Sequence, residues 1–418
     1  MPKPWNWTVE KRLVADLEKL ASEHGVLKEI AVSPDGETAG AIFDKSTSEA
    51  TIAVGERCWE GALEKAWHLR FCPDGRALAL VRIDDAWTVM VDGTPWEESF
   101  DFAWNTKVTT DGKTIAAQIK RDNKYGVAVN GAPWGNLFIS CRDYVLSADG
   151  QHAAATVQLE ELPEADIAKF REGTWGVAVD GTPWGARFMN AYAPTFSPDS
   201  AHVAAEVRTE PTSYSVAQDG EAWKTKYGCV WEPRFKGGGT VIVPVRQQGA
   251  WTLAENGAPF WKNRFVQLWH PTVATAGDHV AAVVATAYGQ WTVAVDDVAW
   301  PTAFSDMVLA PHFSPDGRRV AAVFKDDGRW GIVVDGRPWS KRFDMVWEPV
   351  FSPDGARLVA KVEVDGRPGL TAGGQVWTSD MDRLWDPVFS PDGKHVLVRG
   401  MTGGKVFRQV IPAAELGS

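Results

Sequence analysis

The sequence predicts an all-β fold, a β-propeller of about ten four-stranded repeats, and three observations carry that prediction. A four-residue turn, Ser-Pro-Asp-Gly or a relative, begins at Ser33, Cys72, Thr109, Ser147, Ser197, Lys236, Ala274, Ser314, Ser352 and Ser390, at spacings of 37 to 40 residues apart from one of 50. A second turn, Asp-Gly or Asn-Gly, closes an apolar run in most units, as in "WGIVVDG", "WGVAVDG" and "YGVAVNG". The 22 tryptophans keep to fixed places in this repeat, with only Trp5 and Trp7 outside it. Short strands joined by tight turns at a period near 40 residues describe a propeller blade, and the period-two patterns exclude a helical solenoid.

Each unit reads in the same order. An apolar run such as "PVFS" gives the first strand. In the turn that follows, proline presets φ and glycine accepts the left-handed conformation. The second strand is slim, as in "HVAAEV" and "RVAAVF". A variable polar loop leads to the third strand, whose Asp-Gly or Asn-Gly end is a strong hairpin signal. The fourth run, "PWxxxFxxxW", leads back to "xPxFS". Propellers of four to eight blades are usual. Ten units therefore leave two arrangements open, one large ring or two smaller rings.

Wedge geometry explains the tryptophans. Blades stack face to face, narrow at the axis and wide at the rim. Outer strands must fill a widening gap, and an aromatic side chain covers about 150–250 Å². Trp59, Trp96, Trp134, Trp184, Trp223, Trp300, Trp339 and Trp377 hold the fourth-strand position; Phe260 takes it in the sixth unit, with Trp261 one residue on. A second set stands five residues before the turn: Trp67, Trp104, Tyr192, Trp231, Trp269, Trp347 and Trp385. There the chain passes from rim to axis, so these residues are expected at the channel mouth. Aromatic residues dominate interface hot spots, which makes this ring the candidate partner-binding site.

The last unit has three strands. "PKPWNW" at the start matches the fourth-strand pattern, so residues 2–7 are expected to close the ring. Val9, Leu13, Leu17 and Leu20 then fall on one helical stripe, with Thr8 as N-cap and Gly25 as stop. The domain division is residues 1–27 for closing strand and amphipathic helix, and 28–418 for the repeats. The long gap holds "QLEELPEADIAKFREGT", between the second and third strands of its unit. Connections there share a face with the aromatic ring, so acidic Glu160 and Glu161 join the candidate site.

Little in the chain resembles a catalyst. No Walker loop, dinucleotide fingerprint, Gly-x-Ser-x-Gly or His-Glu-x-x-His is present. His152, His202, His279 and His395 share one repeat position, which reads as exposed strand rather than metal ligand. Cys58, Cys72, Cys141 and Cys229 are scattered, as expected of reduced structural thiols. A formal charge of -11 argues against nucleic acid, which needs a basic face. No apolar run reaches the roughly 20 residues of a membrane span, and no signal peptide is evident, so a cytoplasmic location is expected.

The repeats, over about residues 28 to 410, resemble the WD40-like group whose signature is the Ser-Pro-Asp-Gly turn. With tryptophan this dense in "SPDG" and "VDGxPW" units, and with "PWNW" and the leading helix, the chain resembles the TmcD family, the tryptophan-rich subunits of the transmembrane redox (Tmc) complex of sulfate-reducing bacteria. That resemblance implies a non-catalytic scaffold without a cofactor. Its implied partners are a cytoplasmic iron–sulfur subunit and a cytochrome b subunit, in a complex that also has a periplasmic multihaem cytochrome c. It would be held at the inner membrane through those partners. The family offers no catalytic residue to carry over. The alternative expectation is a propeller hydrolase or small-molecule-binding protein, which requires a polar pocket on the axis with two carboxylates or a bound metal.

Overall fold

The computed structural model describes residues 4–162 and 166–417. Ten antiparallel sheets follow one another along the chain, each a four-stranded blade whose strands run in sequential order, except that the tenth takes its outer strand from the N-terminal segment. Blade 2 shows the pattern: Lys65–Phe71, Ala77–Ile83, Ala86–Val91 and Thr94–Pro95. First strands of successive blades pack on each other, as Val26–Val32 does on Lys65–Phe71, which places them at the axis and the two-residue fourth strands at the rim.

A single ring of ten resolves the choice left by the sequence. Blade 5 packs on blade 6 through Ser213–Gln218 and Cys229–Val230, with no break between the halves. Blade 10 packs on blade 1. Val406 shares a core with Val32, Ala41 and Phe43. Two arginines of blade 10 reach into the first turn of blade 1: Arg399 donates to the Ser33 carbonyl at 3.1 Å and Arg408 to the Asp35 carbonyl at 2.9 Å. Arg408 is 0% exposed, with Glu37 at 3.1 Å as counter-ion.

The closing strand is not the one the sequence suggested. Lys11–Asp16 pairs antiparallel with Lys405–Pro412, in the register Leu13↔Phe407 and Asp16↔Lys405. Pro2 and Lys3 lie outside the described residues, and residues 4–7 form no strand, although Trp5 and Trp7 stack at 5.9 Å. The helix α1 is correspondingly short, Leu17–His24. Asp16, not Thr8, is its cap, accepting from the Lys19 N–H at 3.1 Å, and Gly25 ends it as expected. Val9 and Leu13 of the supposed stripe are 52% and 51% exposed. An unpaired edge of Lys405–Pro412 needs hydrogen-bond partners more than "KRLVAD" needs to be helical.

The face carrying the Ser-Pro-Asp-Gly turns is built from repeated side-chain bonds. The Ser314 hydroxyl donates to Asp316 at 2.6 Å and accepts from the Arg319 N–H at 3.0 Å. The same pair of bonds recurs at Ser33, Ser352 and Ser390, and these serines are buried. Next door, the aspartate of the Asp-Gly turn accepts from the first N–H of the second strand: Asp335 from Val320 at 2.8 Å, Asp180 from Ala153 at 2.9 Å. His152, His202 and His279 flank these aspartates at 2.7, 2.6 and 2.5 Å, so the repeated histidines brace turns.

The rim tryptophans seat on the next blade. A Cβ added to Gly93 would meet Trp59, to Gly131 Trp96, to Gly181 Trp134, and to Gly336 Trp300, at 3.4, 3.3, 2.9 and 3.1 Å. Each glycine belongs to the Asp-Gly turn of the following blade and has φ between 75° and 88°. Blade 7 breaks the rule with Asp297 in place of glycine. There blade 6 breaks it too: Trp261 turns inward and is buried, and Asp297 instead takes the Lys262 N–H at 2.8 Å. At the last seam Trp377 packs in the core that holds Ala413 and Leu416 of the terminal 3-10 turn.

Two predictions follow from these contacts. Gly181→Ala is expected to cost about 2–4 kcal/mol, strain at positive φ plus displacement of Trp134. Gly249→Ala, with φ 84° and nothing within 4 Å, is expected to show the strain alone, about 1–2 kcal/mol. Chemical denaturation of both variants measures the difference. The second concerns acid. Hydrogen bonds from the Thr109 hydroxyl and the Lys113 N–H hold Asp111 down to about 2, and serine hydroxyls hold Asp149, Asp199, Asp316, Asp354 and Asp392 below the usual range. A carboxylate depressed in the folded state contributes stability above its unfolded value and loses it as pH falls through the folded one. The melting temperature should therefore fall between about pH 4 and pH 2. Replacing Ser314, Ser352 and Ser390 by alanine should shrink that fall.

Candidate partner-binding face and axial cavity

Opposite the Ser-Pro-Asp-Gly turns, the ring presents its fourth-to-first and second-to-third connections. Helix α1 makes the connection from blade 10 to blade 1 and sits on this face against Ala39–Ser46. The insertion of blade 4 is here too: its helix α2, Ile167–Glu172, brings Phe170 within 5.8 Å of the Arg208 guanidinium of blade 5. Pro163, Glu164 and Ala165 of the insertion lie outside the described residues. Glu160 is paired with Arg187 and with Lys169, the latter at 3.4 Å, while Glu161 is exposed.

Each of the seven aromatic residues named above lies in or directly after the opening part of its first strand. In blades 2, 3, 5 and 7 a bulge follows it, shifting register between Trp67 and Arg70, Trp104 and Lys107, Tyr192 and Thr195, Trp269 and Thr272. The residue inside the bulge has positive φ: 59° at His68, 49° at Asn105, 46° at Ala193 and 52° at His270. In blades 6, 9 and 10 the strand is interrupted instead, at Pro233, Pro349 and Pro387, where proline offers no N–H.

The aromatic residues do not form a uniform ring. Four of them lie on the aromatic that opens the third strand of the same blade: Trp67 on Trp87 at 6.2 Å, Trp104 on Tyr125 at 6.1 Å, Trp231 on Trp251 at 5.5 Å and Trp269 on Trp291 at 4.8 Å. Blade 4 carries Arg142 in this place, 4.0 Å above Trp175 and 5.1 Å from Tyr192. Trp347 and Trp385 are covered by Lys361 and Arg383 at 4.6 and 5.3 Å. Only Trp67 and Trp231 remain largely open, at 36% and 41% exposure, and Phe102 of blade 3 extends the patch at Trp67.

Sequence reading missed a cavity of about 660 Å³ on the axial side of blades 3 to 6. Its wall includes Tyr192, Ala193, Glu206, Tyr214, Trp231 and Glu232, and Lys107, Asp143 and Arg234 also border it. Burial, with the Glu232 charge adding to it, raises Glu206 to about 7. Burial lowers Lys107, whose ammonium donates to the Tyr144 carbonyl and sits 4.8 Å over that ring. A glutamate within the apolar rhythm of "HVAAEV" was the available signal.

All four cysteines are free thiols. Burial pushes Cys72 up to about 11 and Cys141 up to about 12, so neither is a ready nucleophile. Among the described residues no three His, Cys, Asp or Glu side chains gather as a metal site, and no helix is long and apolar enough to cross a membrane.

This geometry has distant likenesses among solved structures. No family model matches the chain, and no curated protein matches it. Among solved structures the chain is similar to one described as a crystal structure of the eukaryotic initiation factor, at 12% identity and TM-score 0.45, over 88% of this chain and 95% of that one. It is also similar to the Dos1 propeller, at 12% identity and TM-score 0.35, over 97% and 95%. The class is thus a ten-bladed β-propeller, established by its own sheets; likenesses this distant carry no function to it.

If the open indoles serve binding rather than folding, truncation should separate the two members of a stack. Trp231→Ala is expected to cost about 1 kcal/mol or less, because it is exposed. Trp251→Ala, at 4% exposure, is expected to cost about 3–5 kcal/mol. Denaturation midpoints of the two variants check this.

Proposed function

We propose that the protein is a non-catalytic interaction subunit that docks a partner protein on the face bearing Trp67 and Trp231. The observation that carries this is the pair of exposed indoles, each backed by an aromatic of its own blade, on the face where α1 and the blade 4 insertion also emerge. A rigid aromatic surface loses little side-chain freedom when covered, which suits a hot spot. The composition and the "SPDG" and "VDGxPW" repeats support a finer reading: a scaffold of the cytoplasmic arm of a membrane redox complex, as in the TmcD family. It would contact the iron–sulfur subunit and be held at the inner membrane with the cytochrome b subunit. It would carry no redox centre and catalyse nothing itself. The axial cavity favours a second reading, small-molecule binding, since it supplies carboxylates on the axis.

The test is affinity purification of the tagged full chain from native membranes. Recovery of an iron-containing subunit and a haem b spectrum in near-stoichiometric yield is the expected result. The Trp67→Ala/Trp231→Ala double variant, shown to melt normally, should lose that recovery by about tenfold or more. Undiminished recovery with the double variant would reject this face as the docking site.

A further inference from the structure

Glu206 departs from the pattern of its repeat position. It stands on the second strand of blade 5, directly across from Tyr192. The same position in blades 2, 7 and 8 holds Leu80, Val283 and Val323. Where it is polar elsewhere, it has hydrogen-bond partners. Gln118 bonds Asn105 at 2.7 Å and the Cys141 carbonyl at 2.9 Å. Thr156 donates to the Arg142 carbonyl at 3.0 Å. Arg399 donates to the carbonyls of Ser33 and Asp386. Glu206 is 8% exposed; among the described residues its carboxylate has no side-chain hydrogen bond or ion pair, and it borders the cavity. A buried carboxylate without a partner is costly to keep charged.

Blade 9 shows what is missing. Its residue at this position is Lys361, whose ammonium lies 4.6 Å over the mouth aromatic Trp347 and 2.7 Å from Asp386 of the next blade. In blade 5 the mouth aromatic is Tyr192, and the residue equivalent to Asp386 is Glu232 of blade 6. Carboxylate therefore faces carboxylate where blade 9 pairs cation with carboxylate. The space is open because the bulge residue is Ala193, where other blades place His68, Asn105, Asp143 or His270. The cations near the wall are already engaged: Arg234 pairs with Glu232 at 2.6 Å, Lys107 is held by the Tyr144 carbonyl with Asp143 nearby, and Arg142 and Arg208 lie 5.1 and 5.7 Å from one face of the Tyr192 and Tyr214 rings.

We infer that the cavity between blades 5 and 6 is a binding site for an alkylammonium group, seated over Tyr192 against Glu206 and walled by Tyr214 and Trp231. Aromatic faces and a desolvated carboxylate together select a cation over a neutral or anionic ligand. The site shares Trp231 with the docking face and deepens the small-molecule reading, but it does not rest on docking, because a free amine and a lysine side chain present the same group. Glu206 faces Glu232 and Arg234 from blade 6, together with the Cys229 thiol and the rings of Tyr192 and Tyr214. Because burial and Glu232 raise it to about 7, binding should strengthen from pH 6 to pH 8 while the amine stays protonated.

The experiment is calorimetric titration of the full chain with n-butylammonium, which copies the reach of Lys361, and with Nα-acetyl-lysine N-methylamide. n-Butanol and butyrate serve as controls. Saturable binding of butylammonium is expected, about tenfold or more weaker in Glu206→Gln and absent in Glu206→Lys, with no saturation by either control. Both variants should melt at or above the parent temperature at pH 8, which separates lost binding from lost folding. Binding of the lysine amide as well assigns the site to a protein side chain; binding of butylammonium alone assigns it to a free amine. No saturable binding of either probe, or equal binding by Glu206→Gln, would overturn the inference.

Discussion

The ring depends on one contact, repeated at its seams: an indole at the rim of one blade lies on a turn glycine of the next. Sheets that radiate from an axis diverge, and something must fill the outer gap. A flat aromatic does this only if the opposing surface has no Cβ. Glycine at the Asp-Gly turn supplies that surface, and positive φ at the same residue makes the turn. One residue type thereby serves both local conformation and packing between blades. The exception at Asp297, met by the inward shift of Trp261, shows the two positions acting as a unit.

The two faces of the ring then have different work. On one, hydrogen bonds between Ser and Asp, and between Asp and strand N–H groups, fix most of the turns, and Arg399 and Arg408 use that same lattice to join blade 10 to blade 1. On the other, connections vary in length and carry α1, α2 and the aromatic stacks. Variation is tolerated there because the blades are already held by their cores and their far turns. Glu206 and its cavity open toward that permissive side, where blade 5 sets like charges together and blade 9 sets opposite ones.

Repeat number, strand order and the location of each turn were legible in the sequence, because spacing and turn chemistry are local and periodic. So was the packing of the rim tryptophans, which follows from wedge shape alone. Ring closure was harder. "PKPWNW" carries the fourth-strand pattern, but the edge of Lys405–Pro412 selects Lys11–Asp16, a preference that depends on residues at the other end of the chain, such as Gln409 opposite Lys11 and Lys405 opposite Asp16. The aromatic mouth was placed in the right strand, yet its contacts with Trp87, Trp251 and Trp291 could not be read, because both columns recur at fixed positions but spacing does not show that rings two strands apart in one blade touch. The axial cavity was invisible for a related reason: it exists where Ala193 replaces a larger side chain beside Glu206, a coincidence of two strands and two blades.

The central claim is that rim indole and turn glycine are coupled across the seam, and a double-mutant cycle on Trp300 and Gly336 tests it most directly. Stability is measured for Trp300→Ala, Gly336→Ala and the pair. The account predicts a coupling of about 1 kcal/mol or more, because the added methyl is harmful chiefly while the indole is there. Additive losses, within about 0.3–0.5 kcal/mol, would contradict it and leave the recurrence of tryptophan without its explanation.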